Sequence, residues 1–408
     1  MFISKNIISI FLVVCLWKMN LNTLTFANTD IKTIITKNCL SCHKKGGNAP
    51  FDFDNYESVY QKRHMIKYVL EKNTMPPWLP DSSYSHFRGE RILSLEDKNT
   101  LLDFINGRCK KKLYNRNLIE NNILNAKEEQ AETEDTLICF TKKYIIINEN
   151  NERNINYLFP YQNSELKYVN SIQFKYIDKS IIHHSLLSIE QNHDLRNNKY
   201  WDINKLKLSN DMTRIYFGGY LPGMETIKYP ENMAQILLPN SVFVINNHYP
   251  VLKQAAYDST CLLVKFLKRE PEKIIRTLII DIGSNGSSVV IPKDSMRFIH
   301  YHRIMKNEMT AVSILPHMHN IGKVFKAWCI LPNQQQINLI KIDNWNFFRQ
   351  EEYFFPEPIY LPEGTIFHIE AVFDNTASNV KNLFQPPKDI LFGGNSIDEM
   401  LQLIVKYY

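Results

Sequence analysis

Met309-Thr-Ala-Val-Ser-Ile-Leu315 runs directly into Pro316-His317-Met318-His319-Asn320-Ile321-Gly322. The run reads as a strand, and residues two apart in a strand point to the same face. His317 and His319 therefore present two imidazoles side by side, which is how a sheet supplies two thirds of a metal site. Outward from this stretch the texture repeats. Short runs rich in Ile, Val, Phe, Tyr and Leu alternate with Asn, Gly, Pro and Asp turns from residue 136 onward: Tyr144–Ile147, Ser171–Tyr176, Ser241–Ile245, Thr277–Asp281, Ile366–Phe373 and Leu401–Tyr407. This spacing predicts all-β, jelly-roll-like sandwiches. Two halves of similar size follow, 136–270 and 271–408, split near Arg269-Glu-Pro271.

Other places in these halves carry ligand-type residues. His183-His184 follows Ile181-Ile182. Consecutive strand residues face opposite ways, so both can bind one metal only where the strand bulges or ends. His248 closes the run Ser241-Val-Phe-Val-Ile-Asn-Asn247, and Met400 opens the last strand. The first half thus offers three imidazoles and the second two imidazoles with a thioether. Imidazole suits copper and thioether sulfur selects Cu(I); zinc would recruit carboxylates or thiolates instead. His300-Tyr-His302 is also a strand-spaced pair, read as a surface or core pair, and His86, His193 and His368 are read in the same way.

The region 28–113 reads as a small all-α domain. Helices are expected at Asp30–Lys37, at Tyr60–Leu70, and from the capping box Ser94-Leu-Glu-Asp97 through Ile105 to Asn106-Gly107. Cys39-Leu-Ser-Cys42-His43 has the C-x-x-C-H attachment pattern of c-type haem, in which both thiols bond the porphyrin and the histidine ligates iron. Candidates for the opposite ligand are His64, Met65, Met75 and His86. Met75 is favoured because Pro76 and Pro77 keep its loop extended, and a Met/His pair suits electron transfer. His64 lies on a helix face. Residues 114–135, polar and rich in Asn and Glu, read as a linker.

Lys5, the apolar run Ile7–Trp17 and Thr25-Phe26-Ala27 outline a signal peptide over 1–27. The run is shorter than the roughly 20 residues of a membrane span. A periplasmic or secreted protein is expected, with an uncleaved membrane anchor as the alternative. Of 7 cysteines, Cys15 leaves with the signal, and Cys109, Cys139, Cys261 and Cys329 remain for disulfides in an oxidising compartment, their pairing open. A net charge of +6 spread over 408 residues, without a basic tract, argues against nucleic acid as a partner. No P-loop, Rossmann glycine pattern or Gly-x-Ser-x-Gly elbow occurs.

Cys39–His43 with Ala49-Pro-Phe51, Tyr56, Met75-Pro-Pro-Trp78 and Leu93-Ser-Leu-Glu-Asp97 resembles the cytochrome c domain fused to copper monooxygenases in bacteria. Residues 136–408 resemble the copper type II, ascorbate-dependent monooxygenases, the peptidylglycine α-hydroxylating monooxygenase and dopamine β-hydroxylase family. The motifs are His183-His184-Ser-Leu-Leu187, Asn247-His248-Tyr249, Pro316–Gly322, Leu361-Pro-Glu-Gly-Thr365, Phe373-Asp-Asn375 and Asp398-Glu-Met400. The resemblance implies an electron-storing copper at His183, His184 and His248 and an O2-binding, catalytic copper at His317, His319 and Met400. With one haem c and two coppers, it implies hydroxylation of a C–H bond of a small organic substrate by O2. A periplasmic donor or an ascorbate-like reductant would supply the electrons. The chain departs from the peptide-amidating pattern at Leu315, where that family places a carboxylate-clamping Arg, and at Gln402 and Ile404, where it places Asn and Tyr. Peptide amidation is therefore not expected. An electron-transfer or copper-binding protein without oxygenase activity is the alternative.

Overall fold

Alternation in the sequence becomes alternation in burial. Along Ile366–Asp374, Phe367, Ile369, Ala371 and Phe373 face inward, while His368 and Glu370 face outward. The computed structural model describes residues 31–108 and 133–408 apart from short internal breaks, His183, 191–199 and 202–214 among them; 1–30 and 109–132 lie outside the described residues. The expected signal peptide, Cys15, Cys109, His193 and most of the linker fall there. The strand Thr133–Phe140 begins inside the expected linker.

The largest sheet has nine strands. Its main path runs Thr133–Phe140, Thr260–Leu267, Lys167–Tyr176, Met233–Leu237, Lys273–Asp281, Leu401–Tyr407, Met309–Met318 and Tyr353–Leu361. Met233–Leu237 and Lys273–Asp281 pair in parallel, and there the sheet passes from the first half of the chain to the second. A five-stranded sheet, centred on Val242–Tyr249 between Arg153–Pro160 and His184–Glu190, covers the first part. Between them lies a core that includes Phe174, Phe217, Phe243 and Phe266. A four-stranded sheet, Met296–Ile304, Ile366–Asp374, Gly322–Ile330 and Gln336–Ile342, covers the second part over a core with Phe325, Trp345 and Phe373.

The expectation of a multidomain chain, with a small all-α cytochrome c-like domain ahead of two separate sandwiches, is corrected here. The described chain is predominantly β, one sheet runs through both halves, and no all-α cytochrome c-like domain is formed. Among the described residues there are four helices: α1 (Ile31–Asn38), α2 (Tyr56–Gln61), α3 (Arg63–Glu71) and α4 (Leu95–Ile105). Ser94 caps α4 by accepting from Asp97 N at 2.9 Å, as the capping box predicts. Between α3 and α4, however, the chain is non-helical and directs its apolar side chains into the β structure. Phe87 is buried in the second core, with Trp78 and Leu79 packed against it. Trp78 and Phe87 both meet Tyr353, with ring centroids 5.4 and 5.1 Å away. Backbone bonds join Asp81 N to Lys341 O and Arg88 N to Phe354 O, each at 2.8 Å. Helical periodicity reports only local pairing, so a loop that folds onto strands 260 residues away leaves no periodic signal.

Among the described residues no helix is long and apolar enough to cross a membrane. Cys261 and Cys329 are free thiols, so they are not bridged to each other; Cys329 is fully buried, and burial pushes its thiol upward in pKa.

Candidate metal centre

The antiparallel pairing of Val242–Tyr249 with His184–Glu190 sets His248 directly opposite His184. Their Nδ1 atoms are 3.4 Å apart and their rings 4.7 Å. His184 is the first residue of its strand, just after a 3-10 turn at Lys179–Ile181. A strand end here is what consecutive histidines on one ion require; His183 itself lies outside the described residues. A buried polar network backs the pair. Ser185 donates to Asn247 Oδ1 at 2.6 Å, and Asn247 Nδ2 donates to Thr260 Oγ1 at 2.6 Å and to Asp258 Oδ2 at 3.2 Å. Tyr249 also donates to Asp258.

His317 and His319 come together at the end of Met309–Met318, ring centroids 5.0 Å apart. Each Nδ1 faces an acceptor: Gln350 Oε1 at 2.6 Å for His317 and the Asp398 carbonyl at 2.9 Å for His319. Gln350 is oriented by its own Nε2, which donates to Phe347 O at 2.9 Å. Acceptors fix the proton on Nδ1 and leave Nε2 of both rings as a free lone pair. Burial, reinforced by the neighbouring imidazole, pushes His317 down to about 3, and burial likewise lowers His319, so both rings are neutral.

Met400 is brought to the same place by register. Leu401–Tyr407 pairs with Met309–Met318 so that Gln402 faces His317 and Leu401 faces Met318, and Met400 is the residue directly before Leu401. Glu399 fastens the junction. One oxygen accepts from His319 N at 2.9 Å and Met400 N at 3.3 Å, the other from Ile321 N at 2.7 Å. Burial raises this carboxyl to about 8.

One imidazole of each pair reaches a common cleft. His184 and His317 both line a small cleft of about 60 Å³, with Leu315, Tyr216, Gln350 and Glu352. The Phe347 ring lies 6.1 Å from His184 and 5.4 Å from His319, and His248 lies near enough to His319 to disfavour its protonation. Among the described residues no three His, Cys, Asp or Glu side chains stand together as a metal-holding group. Each set is present as an imidazole pair. The expected third members are His183, outside the described residues, and Met400, tied by its backbone N to Glu399. At the His317/His319 pair the donor chemistry and the Nε2 positions fit copper.

The haem motif sits at the end of α1. His43 Nδ1 donates to the Phe51 carbonyl at 3.0 Å, and its ring stacks on Phe53 at 4.5 Å. This again leaves Nε2 free, and burial lowers the ring's pKa. Cys39 and Cys42 are not in a disulfide, and burial raises Cys39 to about 12. Met75 opens on a separate cleft of about 300 Å³, walled by Leu70, Trp78, Arg91 and Leu93. Leu70 and Leu93 also belong to the small core beside Cys39, yet His43 does not line that cleft. Of the other candidates, His64 and Met65 are exposed on α3, and His86 pairs with Glu90 on the surface.

Gln350, Phe347 and Glu352 were not among the residues expected at the site. They lie in the polar stretch 343–352, which has no periodicity to mark it. Glu399 sits beside Met400 in the quoted Asp398-Glu-Met400 motif, and that adjacency was its only signal.

No protein-family model matches the chain, and no curated protein does. Solved structures give distant likenesses. The glycosylasparaginase PNGase F from Flavobacterium meningosepticum is 11% identical over 67% of this chain and 96% of its own, with a TM-score of 0.33. The STIV MCP structure is 8% identical over 65% of this chain and 97% of its own, with a TM-score of 0.29. At these scores the likenesses carry no argument.

Proposed function

We propose that this chain is an exported, copper-dependent monooxygenase that hydroxylates a C–H bond of a small organic substrate. In this reading His183, His184 and His248 hold an electron-storing copper, and His317, His319 and Met400 hold the catalytic one. Cys39 and Cys42 carry a c-type haem ligated by His43 and Met75. The observation that supports it best is that His184 and His317, one from each imidazole pair, line one cleft, with the Nδ1 protons of His317 and His319 fixed by acceptors. When bound, the metals supply single-electron transfer and O2 reduction. The chain's own residues orient Nε2 of His317 and His319 through Gln350 and the Asp398 carbonyl, keep these two imidazoles neutral by burial, and tie the His319 and Met400 backbones together through Glu399. Leu315 puts an apolar side chain on the cleft wall, which suits a substrate without a carboxylate. The N-terminal run of Lys5 and Ile7–Trp17 supports export to the periplasm or beyond, where an electron donor or ascorbate-like reductant is available.

The cleft volume of about 60 Å³ favours a second reading. Sites for organic ligands usually occupy some 300–1,000 Å³, so an electron-transfer or copper-binding protein without turnover also fits. Haem and copper content, measured on protein exported from a cell that matures c-type haem, tests both readings. One haem and two coppers with substrate-coupled O2 uptake, abolished in Met400→Ile at unchanged haem loading, is the expected result. The same metals without coupled uptake would leave the second reading, and haem without copper, even after Cu(I) is supplied, would remove the monooxygenase and leave electron transfer alone.

A further inference from the structure

Three histidines that the cleft does not use gather on the outer face of the four-stranded sheet. Register sets His302 opposite His368, and His300 is two residues along the same strand, on the same face. Ring centroids are 5.4 Å apart for His300–His368, 6.0 Å for His302–His368 and 6.3 Å for His300–His302. Three imidazoles on one ion at the usual 2.0–2.1 Å N–metal distance have centroids about 5 Å apart and nitrogens about 3.3 Å apart. His300 Nε2 and His368 Nδ1 are already 3.1 Å apart. The trio is not closed around a cation position as it stands. His300 and His302 are exposed and His368 is half-buried, so side-chain rotation of about 1 Å per ring closes the triangle without moving the strands.

The neighbours of the trio form part of the same surface. Glu370 is two residues from His368 and opposite His300, so a carboxylate shares the face. It now pairs with Lys326 at 3.5 Å. On the other flank the Trp328 ring stacks on His368, 5.0 Å between centroids and 4° between planes, and on His300 at 5.9 Å and 2°. This platform holds two of the imidazoles parallel. Partial burial lowers the His368 pKa, with His300 and His302 adding to the effect.

We propose that His300, His302 and His368, with Glu370 within reach as a fourth ligand, form a surface site for a divalent late transition ion of the Zn²⁺ or Cu²⁺ class. Three imidazoles and a carboxylate suit either ion. The site is on a different sheet face from the His184–His317 cleft and does not depend on that cleft holding copper.

The test is a Zn²⁺ titration of the full chain against a chromophoric chelator, comparing wild type with His302→Ala, His368→Ala and His317→Ala. The expected result is one zinc equivalent that is lost, or weakened roughly tenfold or more, in His302→Ala and in His368→Ala but kept in His317→Ala. Ni²⁺ gives a second readout. It should quench a component of the tryptophan emission that is missing in Trp328→Phe, and His302→Ala should abolish that quenching. Zinc stoichiometry and affinity unchanged in both His302→Ala and His368→Ala would overturn the proposal, as would Ni²⁺ quenching unaffected by His302→Ala.

Discussion

Gln350 accepts the Nδ1 proton of His317 at 2.6 Å, and it does so from a segment that faces two ways. Gln350 and Glu352 line the cleft. Arg349, Glu351 and Tyr353, alternating with them, meet the N-terminal stretch: Arg349 donates to Thr74 O at 3.3 Å, Glu351 pairs with Arg91, and Tyr353 meets Trp78. One short segment thus touches both the imidazole cleft and the loop that follows Met75.

Gln350→Leu keeps the side-chain volume but removes the acceptor. His317 then loses the partner that fixes its tautomer. Copper affinity at the His317/His319 set should fall about 10–100-fold, the usual cost of losing such a support. Cu(I) competition titration reads this directly, and an unchanged affinity would show that Gln350 does not position His317.

Glu399 is 1% exposed and satisfies three backbone N–H groups. Glu399→Ala leaves all three without an acceptor. At about 1–3 kcal/mol for an unsatisfied buried group, the loss should reach about 3 kcal/mol or more in chemical denaturation. Glu399→Gln keeps one acceptor oxygen and should lose less. Equal losses in the two variants would contradict this account.

Arg91 lies over the Trp78 ring at 5.0 Å, donates to Pro77 O at 3.1 Å, and pairs with Glu351. These contacts hold the 76–93 stretch to the β structure. Arg91→Ala leaves the Glu351 carboxylate, mostly shielded from water, without its partner, and should cost about 1–3 kcal/mol. Limited proteolysis should then cut within 76–93 before it cuts the strands; cleavage in the reverse order would mean that Arg91 is not the fastening.

Some of this architecture was legible in the chain and some was not, for physical reasons. His317 and His319 are two residues apart in a strand, so a period of two shows that they share a face. Ser94 and Asp97 are three apart, which is the local spacing of a helix cap. Gln350 and Phe347 reach the same imidazoles from a stretch between strands, where no period constrains a side chain. The docking of Trp78 and Phe87 on Tyr353 was hidden for another reason. The prolines at 76 and 77 rule out helix but do not say what the extended chain covers. His368 read as an isolated histidine because its partners, His300 and His302, are cross-strand neighbours about 70 residues away.

Asp258 provides a pH test of the network behind His184 and His248. It is fully buried, and burial raises its pKa, although Tyr249, Thr260 and Asn247 donate to it. A carboxyl whose folded pKa lies above its unfolded value favours folding when protonated. That contribution is full in acid, below the unfolded pKa, and is lost as pH rises through the folded pKa. Asp258→Asn stays neutral throughout and keeps an oxygen to accept from Tyr249. The stability of wild type relative to Asp258→Asn should therefore decline as pH rises from about 4 toward neutrality, and level off above the folded pKa. Denaturation midpoints of the two proteins, measured in parallel across that range, give the difference with the other carboxylates cancelled. A difference that stays flat, or that moves in favour of wild type with rising pH, would mean that the hydrogen bonds to Asp258 outweigh the cost of burying its charge.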